Sequence, residues 1–204
     1  MTAEPSLRAL MQAIAAGDGP ATASMLAATP ELARAALETG ASRTDAKAWY
    51  LTDIGHYAYA GDTALHIAAA GHRPDLARRL IALGADVAAR NRRGAQPLHY
   101  AADGHPGSPG WDPAAQAATV AALIEAGADP DAADASGVAP LHRAVRTRSA
   151  QAVAALLAGG ADASLPNRSG STPLKLAQQT TGRGGSGSPE AKAEQAEILR
   201  LLGA

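Results

Sequence analysis

A six-residue block recurs four times along the chain, and its regularity limits the possible folds more than any other feature. The block reads Gly61-Asp62-Thr63-Ala64-Leu65-His66, Gly94-Ala95-Gln96-Pro97-Leu98-His99, Gly137-Val138-Ala139-Pro140-Leu141-His142 and Gly170-Ser171-Thr172-Pro173-Leu174-Lys175. Its leading glycines are 33, 43 and 33 residues apart. Each unit then carries a second helical stretch, ending in Gly84-Ala85-Asp86, Gly127-Ala128-Asp129 and Gly160-Ala161-Asp162, with Gly203-Ala204 closing the chain. Such a period marks a solenoid, because one unit cannot bury its apolar face alone and stacking supplies the missing partner. The leading glycines fall where a tight turn needs an unhindered backbone. Pro97, Pro140 and Pro173 fall just inside helix starts, where a missing N–H costs little. Leu65 with Ala68, and Leu98 with Ala101, recur at helical spacing and predict the faces turned to neighbouring repeats.

The 204 residues include no Phe and six aromatic residues, so the core must be built from close-packed Ala, Leu, Ile and Val. The net charge of -1 gives no global pull toward nucleic acid. Absence of Cys removes disulfide frameworks, thiolate zinc sites and cysteine nucleophiles together. The opening residues lack the basic start and long apolar run of a secretory signal, and no window approaches a membrane span, so a soluble cytoplasmic protein without a membrane partner is expected.

The period and the Thr-Pro-Leu-His-x-Ala signature resemble the ankyrin-repeat family over about residues 61–204. The resemblance implies an all-α solenoid of stacked helix-turn-helix units with short β-hairpin fingers. Its repeats would be 61–93, 94–136, 137–169 and 170–204, behind a helical cap at 1–38 and a connector at 39–60. In the cap, Leu7, Leu10, Met11 and Ile14 mark one helix, Gly17 to Pro20 a turn, Met25 and Leu26 a second helix, and Thr29-Pro30 a short third.

Three segments exceed what the stack needs, and they are where function is most readily added. The connector holds Trp49, Tyr50, Tyr57 and Tyr59, and reads as an extended hairpin turning at Asp53-Ile54-Gly55. It is either a hydrophobic lid sealing the cap to the first repeat or a ligand-facing aromatic cluster. The other two are inserts of about ten residues between the helices of repeats two and four, Gly104 to Trp111 and Gly182 to Ser188. Each restarts a helix with a cap residue and Pro, at Asp112-Pro113 and Ser188-Pro189. The second insert spells a G-x-G-x-x-G string, but without the preceding strand and the later acidic residue of a dinucleotide site. Arg183, Gly184, Gly185 and Ser186 remain either a flexible linker or an anion-holding loop.

Between Ala135 and Ser188 lie Arg143, Arg146, Arg148, Arg168, Lys175 and Arg183, against the single acid Asp162. The family resemblance implies that the residue after each block and the one three further on face the concave groove. Those are Ile67 and Ala70, Tyr100 and Asp103, Arg143 and Arg146, and Lys175 and Gln178, with Arg90, Arg92, Arg93 and Arg168 at the finger tips. The expectation is therefore a binding strip of Tyr57, Tyr59, Arg92, Tyr100, Asp103, Arg143, Arg146, Arg168 and Lys175 that recognises a protein partner with an acidic surface. A solvated surface balanced by Asp131 and Asp134 would explain the same charges. Nucleic acid is disfavoured because the basic stretch lacks interleaved aromatics.

The family role of His66, His99 and His142 is to bond backbone at the turns. With no second ligand at fixed local spacing, no metal site and no cofactor are expected, and no nucleophile or paired-carboxylate motif points to catalysis. The alternative to protein recognition is a small-molecule binder or unusual enzyme. It would have a pocket between the aromatic hairpin (49–59) and the repeat-two insert (104–113), lined by His56, His105, Trp111 and Arg143. A monomer is expected.

Overall fold

The computed structural model describes residues 3–106, 110–179 and 189–204. Helix α1 (Ala3–Ala16) and α2 (Gly19–Ala28) form the leading pair, followed by a 3-10 turn at Pro30–Ala33. Leu7, Leu10, Met11 and Ile14 bury one stripe of α1, and the Asp18 carboxylate caps α2 by accepting the Ala21 N–H at 2.9 Å. The repeats contribute the pairs α3 (Ala64–Ala70) and α4 (Pro74–Ala82), α5 (Pro97–Ala102) and α6 (Pro113–Glu125), α7 (Pro140–Thr147) and α8 (Ala150–Ala158), and α9 (Pro173–Ala177) and α10 (Pro189–Leu201). First helices pack on first helices, with α1 heading that row, and α4, α6, α8 and α10 form the second row. Small side chains permit the close approach: Ala64, Ala68, Ala69, Ala101, Ala102 and Ala144 are buried between neighbours. Leu65, Leu98 and Leu141 are buried in the continuous core, each worth roughly 1.5–3 kcal/mol of burial.

The histidines of the blocks lock one repeat to the next. His66 Nδ1 accepts the Thr63 N–H at 3.1 Å, and its Nε2 donates to the Ala95 carbonyl of the following repeat at 3.2 Å. His99 and His142 repeat the device, bonding the carbonyls of Val138 at 3.0 Å and Ser171 at 3.1 Å. Burial holds all three rings neutral, pushing His66 down to about 3 and His99 to about 4. Lys175 occupies the histidine position in the fourth block.

The fingers between repeats are tight turns closed by one side chain. Asn91 Oδ1 accepts the N–H groups of Arg93 and Ala95, Asp134 Oδ1 those of Ser136 and Val138, and Asn167 Oδ1 those of Ser169 and Ser171. Gly94 has φ +72°, and a Cβ there would lie 2.7 Å from the Ala135 backbone nitrogen of the next finger, so only glycine lets the fingers stack.

Among the described residues, β-pairing in a sheet is confined to the connector. Strand β1 (Tyr50–Leu51) runs antiparallel to β2 (His56–Tyr57), with Tyr50 opposite Tyr57 and Leu51 opposite His56. A 3-10 turn at Thr52–Ile54 and Gly55, at φ +60°, join them.

Candidate binding face and its hairpin roof

The hairpin lies across the first-helix row and roofs the groove of repeats one and two. Alternation sends His56 inward, where its ring meets Tyr100 edge-on at 4.3 Å, and leaves Tyr50 and Tyr57 paired at 4.8 Å on the outer side. At the hairpin tip, Ile54 covers Gly71 so closely that a Cβ there would stand 3.2 Å from Cγ2 of Ile54. At the base, Arg92 and Arg93 sit over the Tyr59 ring at 5.2 and 4.6 Å, and Arg92 also donates to the Ala41 carbonyl. Arg8 covers Trp49 in the same manner at 4.5 Å.

Beneath the roof lies a buried polar network centred on Asp62, which is 0% exposed. Its carboxylate accepts the Tyr59 N–H at 2.7 Å, Asn91 Nδ2 at 2.9 Å and the Tyr100 hydroxyl at 3.2 Å. Burial nevertheless dominates and pushes the Asp62 carboxyl up to about 6. His66 and Asp62 approach to 3.9 Å, but the neutral ring makes that contact a weak one. His56 is pushed down to about 4, first by burial and then by the charge of Arg143. Its Nε2 is buried and finds no hydrogen-bond partner among the described residues.

Tyr100 therefore does not serve as an exposed central contact, as the repeat position implied. It is 3% exposed, and its hydroxyl and ring are both held internally. Arg143 is corrected in the same direction. Its guanidinium forks across Asp103 at 3.0 Å and Asp134 at 2.9 Å, with 14% of its side chain exposed, so it braces repeats two and three rather than offering free charge. Burial works to raise the Asp134 carboxyl, and the Arg143 hydrogen bond with two backbone N–H groups outweighs it, holding Asp134 below the usual carboxylate range. Asp103 is engaged through the same fork. Tyr59 and Arg92 engage each other at the hairpin base, and Tyr57 faces away from the groove.

The remaining cations stand differently. Arg146, Arg168 and Lys175 are exposed and form no ion pair among the described residues. Arg148, at φ +59°, is 3% exposed and belongs to the turn between α7 and α8. Arg183, Gly184, Gly185 and Ser186 lie outside the described residues. The cationic region is thus narrower than the sequence suggests, because its strongest member is neutralised by two aspartates that lie before the basic stretch.

A pocket of about 310 Å³ opens between the hairpin tip (52–55), the α3–α4 turn (70–73) and the described ends of the repeat-two insert, His105, Gly110 and Trp111. His56 and Arg143 are not among its lining residues, so the four groups expected to share one pocket divide between this cavity and the roofed groove. The insert is anchored at both ends. Gly104 N–H donates to Thr147 Oγ1 at 3.1 Å, and Trp111 Nε1 to Gln116 Oε1 at 3.0 Å. No group of three or more metal-ligating side chains gathers among the described residues.

Two family models match the chain. One, described as ankyrin repeats in many copies, covers residues 53–101 and 123–177, and one for the single ankyrin repeat covers 93–135. The chain belongs to the ankyrin-repeat family. Ankyrin repeats generally mediate protein–protein interaction, and their stacked helices present extended surfaces for it. No curated protein matches the chain. Among the described residues, no helix of this ankyrin protein is long and apolar enough to cross a membrane.

Proposed function

We propose that this ankyrin protein recognises an acidic segment of a protein partner on the open face of repeats three and four. One observation carries the reading: Arg146, Arg168 and Lys175 are exposed without ion-pair partners, while the equivalent face of repeats one and two is closed by the hairpin. Exposed cations without partners gain from an anionic surface without first breaking an internal bond. Arg143 and Asp103 mark the inner border of this strip, and Tyr57 and Tyr59 lie beyond it on the hairpin.

The test is fluorescence anisotropy with a labelled peptide of alternating Glu and Ala, measured at low salt. The Arg146→Glu, Lys175→Glu double variant should weaken binding at least about tenfold, as close like-charge contacts replace attractive ones. An Arg78→Glu variant, on the second-helix row, should bind as the unaltered chain does. Equal binding by all three proteins, or none by the unaltered chain, would overturn the reading.

A further inference from the structure

The docking strip carries a small pit that its charges alone do not explain. The pit has a volume of about 50 Å³ and lies between α7 and α9, with Gln195 and Ile198 of α10 completing its lining. It exists because α9 is short. Aligned at their opening prolines, α9 ends level with Ala144, so Val145 and Arg146 of α7 have no regular helix of repeat four opposite them. Val145, Leu176, Ala177 and Ile198 form the apolar part of the pit; Leu176 is half-buried and the other three are buried. Arg146 lines it too, exposed and without an ion-pair partner among the described residues, and no acidic side chain does. The Gln195 amide is already engaged, its Nε2 donating to the Ala177 carbonyl at 2.7 Å.

Size decides what can enter. Sites for free small molecules run from roughly 300 Å³ upward, so a pit of about 50 Å³ takes a side chain delivered by a longer chain rather than a ligand of its own. A water needs about 10–15 Å³ of such space, which leaves room for about three to five heavy atoms. Valine, isoleucine and leucine side chains have that size. The apolar lining favours them over polar groups, which would lose hydrogen bonds to water on entry. Arg146 favours a carboxylate beside them.

We infer that the partner's acidic segment carries one branched aliphatic residue with an acidic neighbour, whose aliphatic side chain enters this pit while the neighbouring carboxylate pairs with Arg146. The inference rests on the docking strip proposed above and adds register to it. Exposed cations alone attract an acidic chain at many offsets, because charge attraction across water has little directionality. A pit that accepts one side chain fixes which residue lies opposite Arg146, and a buried anchor of this kind gives a binding face its specificity.

Fluorescence anisotropy at low salt with three labelled peptides tests this: the alternating Glu and Ala reference, the same peptide with its central Ala replaced by Leu, and a third with Trp there. The leucine peptide should bind the unaltered chain about tenfold more tightly than the reference, since its added carbons leave water. The tryptophan peptide should gain no more than about threefold, because an indole exceeds the pit. Leu176→Gln, close in size and half-buried, should cut the leucine advantage to below about threefold. Leu176→Ala should do the same, and the comparison of peptides on the unaltered chain stands even if a variant folds poorly. If the reference binds and leucine adds nothing, this inference falls while the docking strip stands. If neither peptide binds, the strip falls and the inference with it. A leucine advantage that survives Leu176→Gln, or that tryptophan matches, also overturns the inference, because the side chain then rests elsewhere.

Discussion

The same position in each repeat, the residue directly after the block, reads as Ile67, Tyr100, Arg143 and Lys175. Ile67 and Tyr100 are buried, Arg143 keeps 14% of its side chain exposed, and Lys175 is exposed. One repeat geometry thus makes core at one end of the solenoid and free surface at the other. The difference comes from what each position meets: Ile67 lies in the core, the hairpin's His56 covers Tyr100, a pair of aspartates satisfies Arg143, and nothing described covers Lys175. Chemistry placed at one repeat position has a role only relative to what lies across from it.

Alanine at those positions should reproduce the gradient in stability. Tyr100→Ala removes a buried ring and strips the Asp62 carboxylate of a donor, and should cost about 3–5 kcal/mol. Arg143→Ala leaves two largely buried aspartates without their cation and should cost about 1–3 kcal/mol. Lys175→Ala should stay within about 0.5 kcal/mol. Urea unfolding of the three variants measures this, and equal losses at Tyr100 and Lys175 would erase the contrast between the two ends.

Titration should separate the ends as well. Burial raises Asp62 from its ordinary 3.8 to about 6, so the folded chain binds that proton more tightly than the unfolded one. Its contribution is fully present below about pH 4 and lost as pH rises through 6, a cost on the order of 2–3 kcal/mol at pH 7. The buried histidines act oppositely. His66, His99 and His56 are pushed down, so the stability they contribute is present above pH ~6.5 and lost as pH falls toward 4. Comparing Asp62→Asn with the unaltered chain isolates the first effect. The variant should gain on the unaltered chain by about 2 kcal/mol between pH 4.5 and 7.5 in paired denaturant curves. A constant difference across that range would mean that Asp62 is not held protonated by burial. Lys175→Ala should show no such slope.

The repeat register was legible because glycine, proline, leucine and histidine each answer a local requirement of a turn or helix start. The backbone-bonding role of His66, His99 and His142 at the turns followed from family resemblance, and the reach of each ring to a carbonyl of the next repeat is what the structure adds. The roof was harder to read. The family resemblance implies a groove-wall position for Tyr100 and Arg143, but burial there depends on a hairpin at residues 50–57 that local spacing cannot dock. The pairing of Arg143 with Asp103 and Asp134 spans 40 and 9 residues. A window bounded at Ala135 excludes both partners and so overstates the free charge. One signal was available, since Asp62 puts a carboxylate at a block position held by Ala95, Val138 and Ser171 in the other repeats. An acid in the otherwise apolar interior of such a stack predicts a buried donor cluster, and Asn91 with Tyr100 is that cluster.

A small effect is also expected within the hairpin itself, between neighbours on its two sides. Tyr57→Ser removes a cross-strand ring pair from the outer face and should cost roughly 0.2–1 kcal/mol. His56→Leu replaces a neutral, inward ring whose buried Nε2 has no partner among the described residues with an apolar chain of comparable size. Removing an unsatisfied buried nitrogen offsets the loss of edge contact with Tyr100, so the change should be near zero, within about 1 kcal/mol and in either direction. Thermal melts at pH 7.5 read both variants. A loss at His56 well above that at Tyr57 would mean that Nε2 makes a bond of its own in solution. The roofed groove would then hold a polar occupant, and the division between a closed structural end and an open binding end would have to be redrawn.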